Sequence, residues 1–340
     1  MNKLILWFGI LLPALLLHAC KEKDAGVWIR LGGQTQGTTY SVTYHTADSA
    51  DYQEELEQIL DNFDLSLSTY IPSSIISGVN QNDLNVIPDS YFITCFTTAR
   101  EIYEETAGVF DITVAPIVNA WGFGFTERAK IDSFLIDSLL MYVGMEKVRL
   151  SNGQIEKDMD GVMLDMNAIA QGYSVDILAE FLETKGIRNY LVEIGGEVKT
   201  MGHNPKGLEW RVGIDRPVEG LQISGVDLQA IVKITNRSLA TSGNYRKFYE
   251  EDGMKYSHTI DPETGYPVQH GLLSATVLAE DCMRADAYAT AFMVMGFEKS
   301  REFLLTRSDL DVYLIYNDEN GDYRVWYTDG MKKLLIEGKD

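Results

Sequence analysis

Between Leu164 and Asp176 the chain reads Leu-Asp-Met-Asn-Ala-Ile-Ala-Gln-Gly-Tyr-Ser-Val-Asp, a stretch in which an extended segment turns into a helix. Val162 and Leu164 alternate as a short strand would, whereas Val175, Leu178 and Leu182 recur at helical spacing. Asp165 or Asn167 is placed to cap that helix, whose first N–H groups and positive dipole end attract anions such as phosphate. Two readings follow. The junction is either a plain capped helix whose Gly172 allows close packing, or one wall of a site for a phosphorylated ligand.

The remaining segments set the architecture. Ile29 to Tyr44 reads as strand, Gly-rich turn and strand, with Gly32-Gly33 and Gln36-Gly37 as punctuation. Leu56, Ile59, Leu60 and Phe63 form a helical stripe within Tyr52–Leu65, and Tyr91–Glu105 offers another. Between them the polar segment Ser66–Asn85, with Pro72 and Gly78, reads as a surface-crossing connection. Strands are expected around Tyr190–Ile194, Trp210–Ile214 and Ile231–Thr235, and a helix over Arg284–Met295. With 340 residues, 45% of them hydrophobic, and no clean linker, the expectation is one large mixed α+β domain over residues 29–340.

Residues 1–19 have the order of a secretory signal, and Leu17-His18-Ala19-Cys20 resembles a bacterial lipoprotein cleavage box in which the cysteine is lipidated. The apolar run from Leu4 to Leu17 is short for a permanent span. The expected mature protein is therefore an exported lipoprotein, anchored to the membrane through Cys20 by a tether at 20–28 and facing the periplasm. The formal charge of −21 becomes −22 once Lys3 leaves with the signal, which excludes nucleic acid as a partner because a phosphate backbone needs a basic surface. An acidic protein that binds pyrophosphate needs a divalent cation to turn its carboxylates into ligands. Cys95 and Cys282 fall in no metal-ligand spacing and are open to pairing or to burial as free thiols.

Several segments carry possible chemistry. Phe110-Asp111-Ile112-Thr113-Val114-Ala115-Pro116, continuing to Trp121-Gly122-Phe123-Gly124, is either a pocket wall for a flat heteroaromatic ligand or a buried strand ending in a tight turn. Leu191–Glu197 is a strand ending in Gly195-Gly196, a geometry that leaves N–H groups accessible to an anion. Ser238–Arg246 adds hydroxyls and an arginine that either forks onto phosphate or makes a surface ion pair. His258, just before Asp261-Pro262, is a base or orienter if functional and a structural hydrogen-bonder otherwise. Asp286 and Thr290 are four apart on one helix face, and the small neighbours Ala285, Ala287, Ala289 and Ala291 suggest burial. A carboxylate and a hydroxyl so placed suit a small hard cation such as magnesium.

Taken in order, these segments resemble the ApbE-type FAD:protein FMN transferases from about Gln36 to about Met295. The resemblance rests on Gly37-Thr38-Thr39-Tyr40, Ser68-Thr69-Tyr70, Phe110–Gly124, Asp165–Gly172, the Ser242-Gly243 to Asp261-Pro262 region, and Ala285-Asp286-Ala287 with Thr290. It implies a T-fold-like α+β domain with FAD held in a cleft between two subregions. It also implies transfer of FMN from FAD to a threonine hydroxyl of a target flavoprotein, with loss of AMP. By similarity Asp286, Thr290 and the carbonyl of Ala168 would hold magnesium. Asp165 and Gln171 would contact FAD, joined by Gln36, Tyr70, the Val109-Phe110-Asp111 turn and Ile260, and His258 would assist deprotonation of the threonine. Asp165 repels phosphate and is better suited to accept hydrogen bonds from a nucleoside or ring donor. Many members carry methionine where Gln36 stands and lysine where Gln171 stands, so this chain lacks one positive charge near the phosphates. The alternatives are a magnesium-dependent FAD pyrophosphatase and a non-enzymatic flavin-binding lipoprotein.

Overall fold

The computed structural model describes residues 26–125, 128–217, 227–244, 248–251 and 254–336. Its strands are β1 (Val27–Thr35), β2 (Thr38–Thr46), β3 (Val148–Ser151), β4 (Gln154–Lys157), β5 (Tyr190–Ile194), β6 (Glu197–Met201), β7 (Trp210–Asp215), β8 (Leu228–Ile234), β9 (Arg237–Gly243), β10 (Phe248–Glu251), β11 (Met254–Ser257), β12 (Leu272–Ala279), β13 (Asp311–Asn317) and β14 (Tyr323–Tyr327). Its helices are α1 (Gln53–Leu67), α2 (Ile75–Asn80), α3 (Ser90–Glu105), α4 (Ala115–Ala120), α5 (Ser133–Leu140), α6 (Asn167–Thr184), α7 (Cys282–Leu304) and α8 (Asp329–Leu334). One antiparallel sheet of eight strands, ordered β1-β2-β5-β6-β9-β12-β13-β14, forms the spine.

Side-chain alternation along the central strands defines the layers. In β13, Val312 and Leu314 join the core built with α3, α6 and α7, whereas Tyr313 and Ile315 join the one built with β7, β8 and α8. Successive Cβ atoms point to opposite faces, so a sheet covered on both sides is apolar at nearly every position. β12, Leu-Leu-Ser-Ala-Thr-Val-Leu-Ala, is such a strand. On the helical face α6 and α7 cross each other over β6 and β9, and α1 and α3 pack outside them.

Most expected elements are present with shifted ends. β1 opens at Val27, two residues ahead of Ile29, and the helical stripes become α1 and α3. The helix expected over Arg284–Met295 is the first part of α7, which Gly296 interrupts with φ 74° before the chain continues to Leu304. Three expectations change. Ser66–Asn85 is not a surface crossing: it contains α2, and Ser66, Leu67, Ile76, Val79 and Asn80 are buried. Val162–Leu164 makes a single parallel bridge, Met163 to Val114, instead of a strand. Phe110–Gly124 is neither continuous strand nor simple turn, because α4 forms within it around Pro116. Cys95 and Cys282 are both buried free thiols. No helix among the described residues is long and apolar enough to cross a membrane. The segment carrying Cys20, and Arg246, lie outside the described residues.

Candidate active site

The crossing of α6 and α7 brings together residues more than a hundred positions apart. Gly172 N–H donates to Asp286 Oδ2 at 3.0 Å. A methyl group at Gly172 would stand 2.8 Å from Asp286 Cβ and press on the carbonyl of Cys282, so only glycine lets the helices meet this closely. Asp286 is 6% exposed, and burial pushes its carboxyl up to about 7. Its second oxygen, Oδ1, receives no hydrogen bond among the described residues. One turn along α7 the Thr290 hydroxyl lies 3.1 Å from Ser242 Oγ at the end of β9. Asp176, further along α6, accepts the N–H groups of Cys282 and Met283 and binds Lys199 at 2.7 Å, fixing the start of α7. Among the described residues no group of three or more His, Cys, Asp or Glu converges.

Two turns close the same end of α6. Gln36 and Gly37, with φ 50° and 72°, link β1 to β2 and line a cavity of about 460 Å³ together with Gln34, Thr35, Thr38 and Thr39. Ser174, buried on α6, donates to Gln36 Oε1 at 3.3 Å, and the Gln36 side chain also reaches Asp64, where it offsets part of the rise that burial gives that carboxyl. Gln171 donates to the carbonyl of Ile194 at 3.3 Å, which ties α6 to the turn between β5 and β6. That turn is not the expected anion cradle: Gly195 N–H donates to Thr39 O at 3.1 Å and Gly196 N–H to Glu193 Oε1 at 2.9 Å. Backbone donors already bonded within the protein are not available to a ligand.

Asp165 precedes the first turn of α6. The N-cap of α6 is Met166, with no side-chain cap, so neither Asp165 nor Asn167 takes the expected capping position; Asp165, one residue earlier, accepts the Asn167 N–H on Oδ1 at 2.8 Å, and burial raises its carboxyl. Tyr70 lies close enough for the Asp165 charge to add to the effect of burial on its phenol, yet its side chain is 64% exposed. The Asp165 N–H donates to Ile112 O at 2.7 Å, which sets the Val109–Thr113 segment alongside. Within that segment the Phe110 ring is buried in the main core, and the Phe110 N–H donates to Thr106 Oγ1 at 3.1 Å. Asp111 accepts both the N–H and the hydroxyl of Thr113, at 2.7 and 2.6 Å, and burial pushes it up to about 6.

His258 stands on a separate wall, its ring 6.5 Å from Phe123 in an edge-on arrangement. Trp121 Nε1–H donates to Gly265 O at 2.9 Å, joining the aromatic segment to the His258–Gly265 loop. Ile260 is buried against Ile117, Trp121, Ile136 and Val143 and bridges Pro267. Ala168, half-buried on the first turn of α6, packs against the main core.

The expected residues on or beside α6 fall into three groups: Gly172, Asp286 and Thr290; Gln36, Gln171 and the Thr38–Thr39 turn; and Tyr70, Asp165 and Val109–Asp111, while His258 and Ile260 belong to the separate wall with Phe123 and Trp121. Ser242, from the hydroxyl-bearing Ser238–Arg246 segment, and Ser174, from the opening run, join them in contacts that the sequence did not assign. A larger cavity, about 720 Å³, lies elsewhere. Arg284 and Tyr288 line it, two residues to either side of Asp286 and so on the other face of α7. Its arginines are already bound to carboxylates, Arg284 to Glu101, Arg307 to Glu105 and Asp309, and Arg237 to Asp311.

The geometry matches proteins of known kind. A family model for the ApbE family matches residues 36–314, which extends the expected span beyond Met295 into β13. A FAD:protein FMN transferase of Haemophilus influenzae is 37% identical over 335 residues, covering 94% of this chain and 95% of its own. One of Escherichia coli K12 is 36% identical over 321 residues, covering 91% and 90%. The solved structure of the flavin transferase ApbE from Vibrio cholerae has a TM-score of 0.82 at 32% identity, covering 91% of this chain and 100% of that one. The apo flavinyl transferase ApbE of Pseudomonas stutzeri gives 0.80 at 30%, covering 92% and 98%. The expected mixed α+β domain is the fold these structures share, and the chain belongs to the ApbE family.

Proposed function

We propose that the chain is a FAD:protein FMN transferase that joins FMN to a threonine hydroxyl of a target flavoprotein and releases AMP. The threonine Oγ bonds to the FMN-side phosphorus while the bond from that phosphorus to the bridging oxygen breaks. The bridging oxygen leaves with AMP, and the threonine proton passes to a base. The observation that carries the reading is the buried Asp286 carboxylate, oriented by Gly172 beside the Thr290–Ser242 hydroxyl pair, in a chain of this family.

The donor set fits magnesium: the Asp286 carboxylate, the Thr290 hydroxyl and the Ala168 carbonyl are hard oxygens. Asp286 Oδ2 is engaged by Gly172 N–H, and no hydrogen bond among the described residues engages Oδ1, which leaves that oxygen as the donor for a cation. When bound, the cation neutralises charge on the phosphates, the main requirement of phosphoryl transfer. The chain's own groups do the rest. Gly172 N–H and Ser242 hold the Asp286 and Thr290 oxygens in place. Asp165 accepts hydrogen bonds from FAD, and Gln36, Tyr70, Gln171, Ile260 and the backbone of Val109–Asp111 bind beside it. His258, half-buried beside Phe123, takes the threonine proton.

Incubation with FAD, magnesium and a threonine-bearing flavoprotein domain tests the reading. Covalent FMN on the domain with matching release of AMP is expected. Free FMN and AMP with no labelled domain would instead identify a pyrophosphatase, and tight FAD binding with no turnover a flavin carrier. The Leu17–Cys20 box supports the companion reading of an exported lipoprotein, held through Cys20 and facing the periplasm. Incorporation of a labelled fatty acid that disappears in Cys20→Ala tests it, and equal labelling of both forms rejects it.

A further inference from the structure

Among the described residues, the segment Val162–Asp165, which delivers Asp165 to the site, is paired with neighbouring backbone of the Ile112–Val114 segment on one side. There, Met163 bridges Val114, and Asp165 N–H reaches Ile112 O. On the other side two side chains pair with it. Asn80, the last residue of α2 and 8% exposed, donates from Nδ2 to Leu164 O at 2.9 Å and accepts the Leu164 N–H on Oδ1 at 2.7 Å, the pattern of a paired strand residue made by one amide side chain. Lys157, at the end of β4, donates from Nζ to Val162 O at 2.9 Å, to Val79 O at 2.9 Å and to Asn80 O at 3.4 Å. All three Nζ partners are carbonyls, so the ammonium serves as a three-way tie between α2 and the segment.

We infer that Asn80 and Lys157 are positioning residues that set Asp165 for FAD. The backbone groups they satisfy on this segment, Val162 O and the N–H and C=O of Leu164, lie within three residues of Asp165, and such groups must be paired when buried. With the amide of Asn80 removed, Leu164 N–H and C=O are left buried without partners, and the segment shifts to satisfy them. The Asp165 carboxylate, which is fixed to Asn167 N–H, moves with it. Displacements of about 1 Å cost up to about a hundredfold at sites of this kind.

The inference rests on the proposed contact of Asp165 with FAD, and a double-mutant cycle on FAD dissociation separates the two. Asn80→Ala is expected to weaken FAD binding about 10-fold or more and to raise KM for FAD while kcat at saturating FAD changes little. Asp165→Ala is expected to weaken it at least as much, and the double variant no further than Asp165→Ala alone. Lys157→Met, which keeps the stem and removes the ammonium, serves where Asn80→Ala fails to fold and is expected to act in the same direction. A folded Asn80→Ala or Lys157→Met with unchanged FAD affinity, or losses that simply add to that of Asp165→Ala, overturns the positioning role. An Asp165→Ala variant that binds FAD normally instead refutes the role of Asp165 and the inference with it.

Discussion

Replacing Gly172 by alanine sets two effects of opposite sign against each other. Alanine in a helix interior is favoured over glycine by about 1 kcal/mol. Against that, the new methyl would stand 2.8 Å from Asp286 Cβ and as close to the Cys282 carbonyl carbon, where carbon contacts prefer about 3.5–4.0 Å. The obstruction is the start of α7, held by Asp281 as its cap and by Asp176, so no side-chain rotation relieves it. Overpacking against such a surface costs about 1–3 kcal/mol, and backbone contact places this case at the upper end. The net loss is about 2 kcal/mol, which for a domain of this size lowers Tm by about 3 °C. Because the clash also pushes Gly172 N–H away from Asp286, the rise in Tm on adding magnesium should shrink as well. Differential scanning calorimetry of both proteins, with and without magnesium, reads the two effects. A variant as stable as the parent, with the same response to magnesium, would refute the argument that this crossing is closed to any side chain and shapes the metal site.

Asp286→Asn should abolish magnesium-dependent transfer. In metal-free protein at pH 8 it should be at least as stable as the parent, because the buried carboxylate has been pushed up to about 7; a large loss of stability would contradict that. Asp111 gives a pH signature. Its native value of about 6 lies above the unfolded value of about 4, so the stability it contributes is present below pH 4 and is lost as pH rises through 6. Asp111→Asn retains an acceptor for Thr113 and should remove a slope of up to about 3 kcal/mol between those limits, read by urea denaturation; an unchanged slope rejects the assignment. His258→Ala should lower kcat by about 100-fold or more while FAD affinity stays within about twofold. An unchanged kcat would remove His258 from proton transfer.

Periodicity made the main helices legible: Leu56, Leu60 and Phe63 announce α1, and β5 falls on Tyr190–Ile194 as expected. It missed α2 because Ile-Ile-Ser-Gly-Val-Asn is short and combines β-branched residues with glycine, so its helix depends on burial of Ile76 and Val79 and on the Ser74 cap. The double glycine after β5 misled for a related reason. Sequence gives the conformational freedom of Gly195 and Gly196, but only the fold reveals that Thr39 and Glu193 take their N–H groups. Asp286 and Thr290 were legible as one helix face. Gly172 and Ser242 stood out too, but their pairing with Asp286 and Thr290 did not, since nothing local in a sequence encodes a contact across 114 or 48 positions. The chemical assignments of Asp165, Gln171 and Ala168 came from the order of the motifs, and the fold places all three at one end of α6.

Covalent FMN transfer is expected to depend on the oxygens assembled where α6 meets α7. Intact-mass analysis of a threonine-bearing flavoprotein domain, incubated with FAD, magnesium and either this protein or its Asp286→Ala variant, measures that dependence. The domain should gain one FMN with the parent protein and none with the variant, and a chelator should suppress the parent to the same level. Equal labelling by both proteins, or labelling that survives the chelator, would contradict the account.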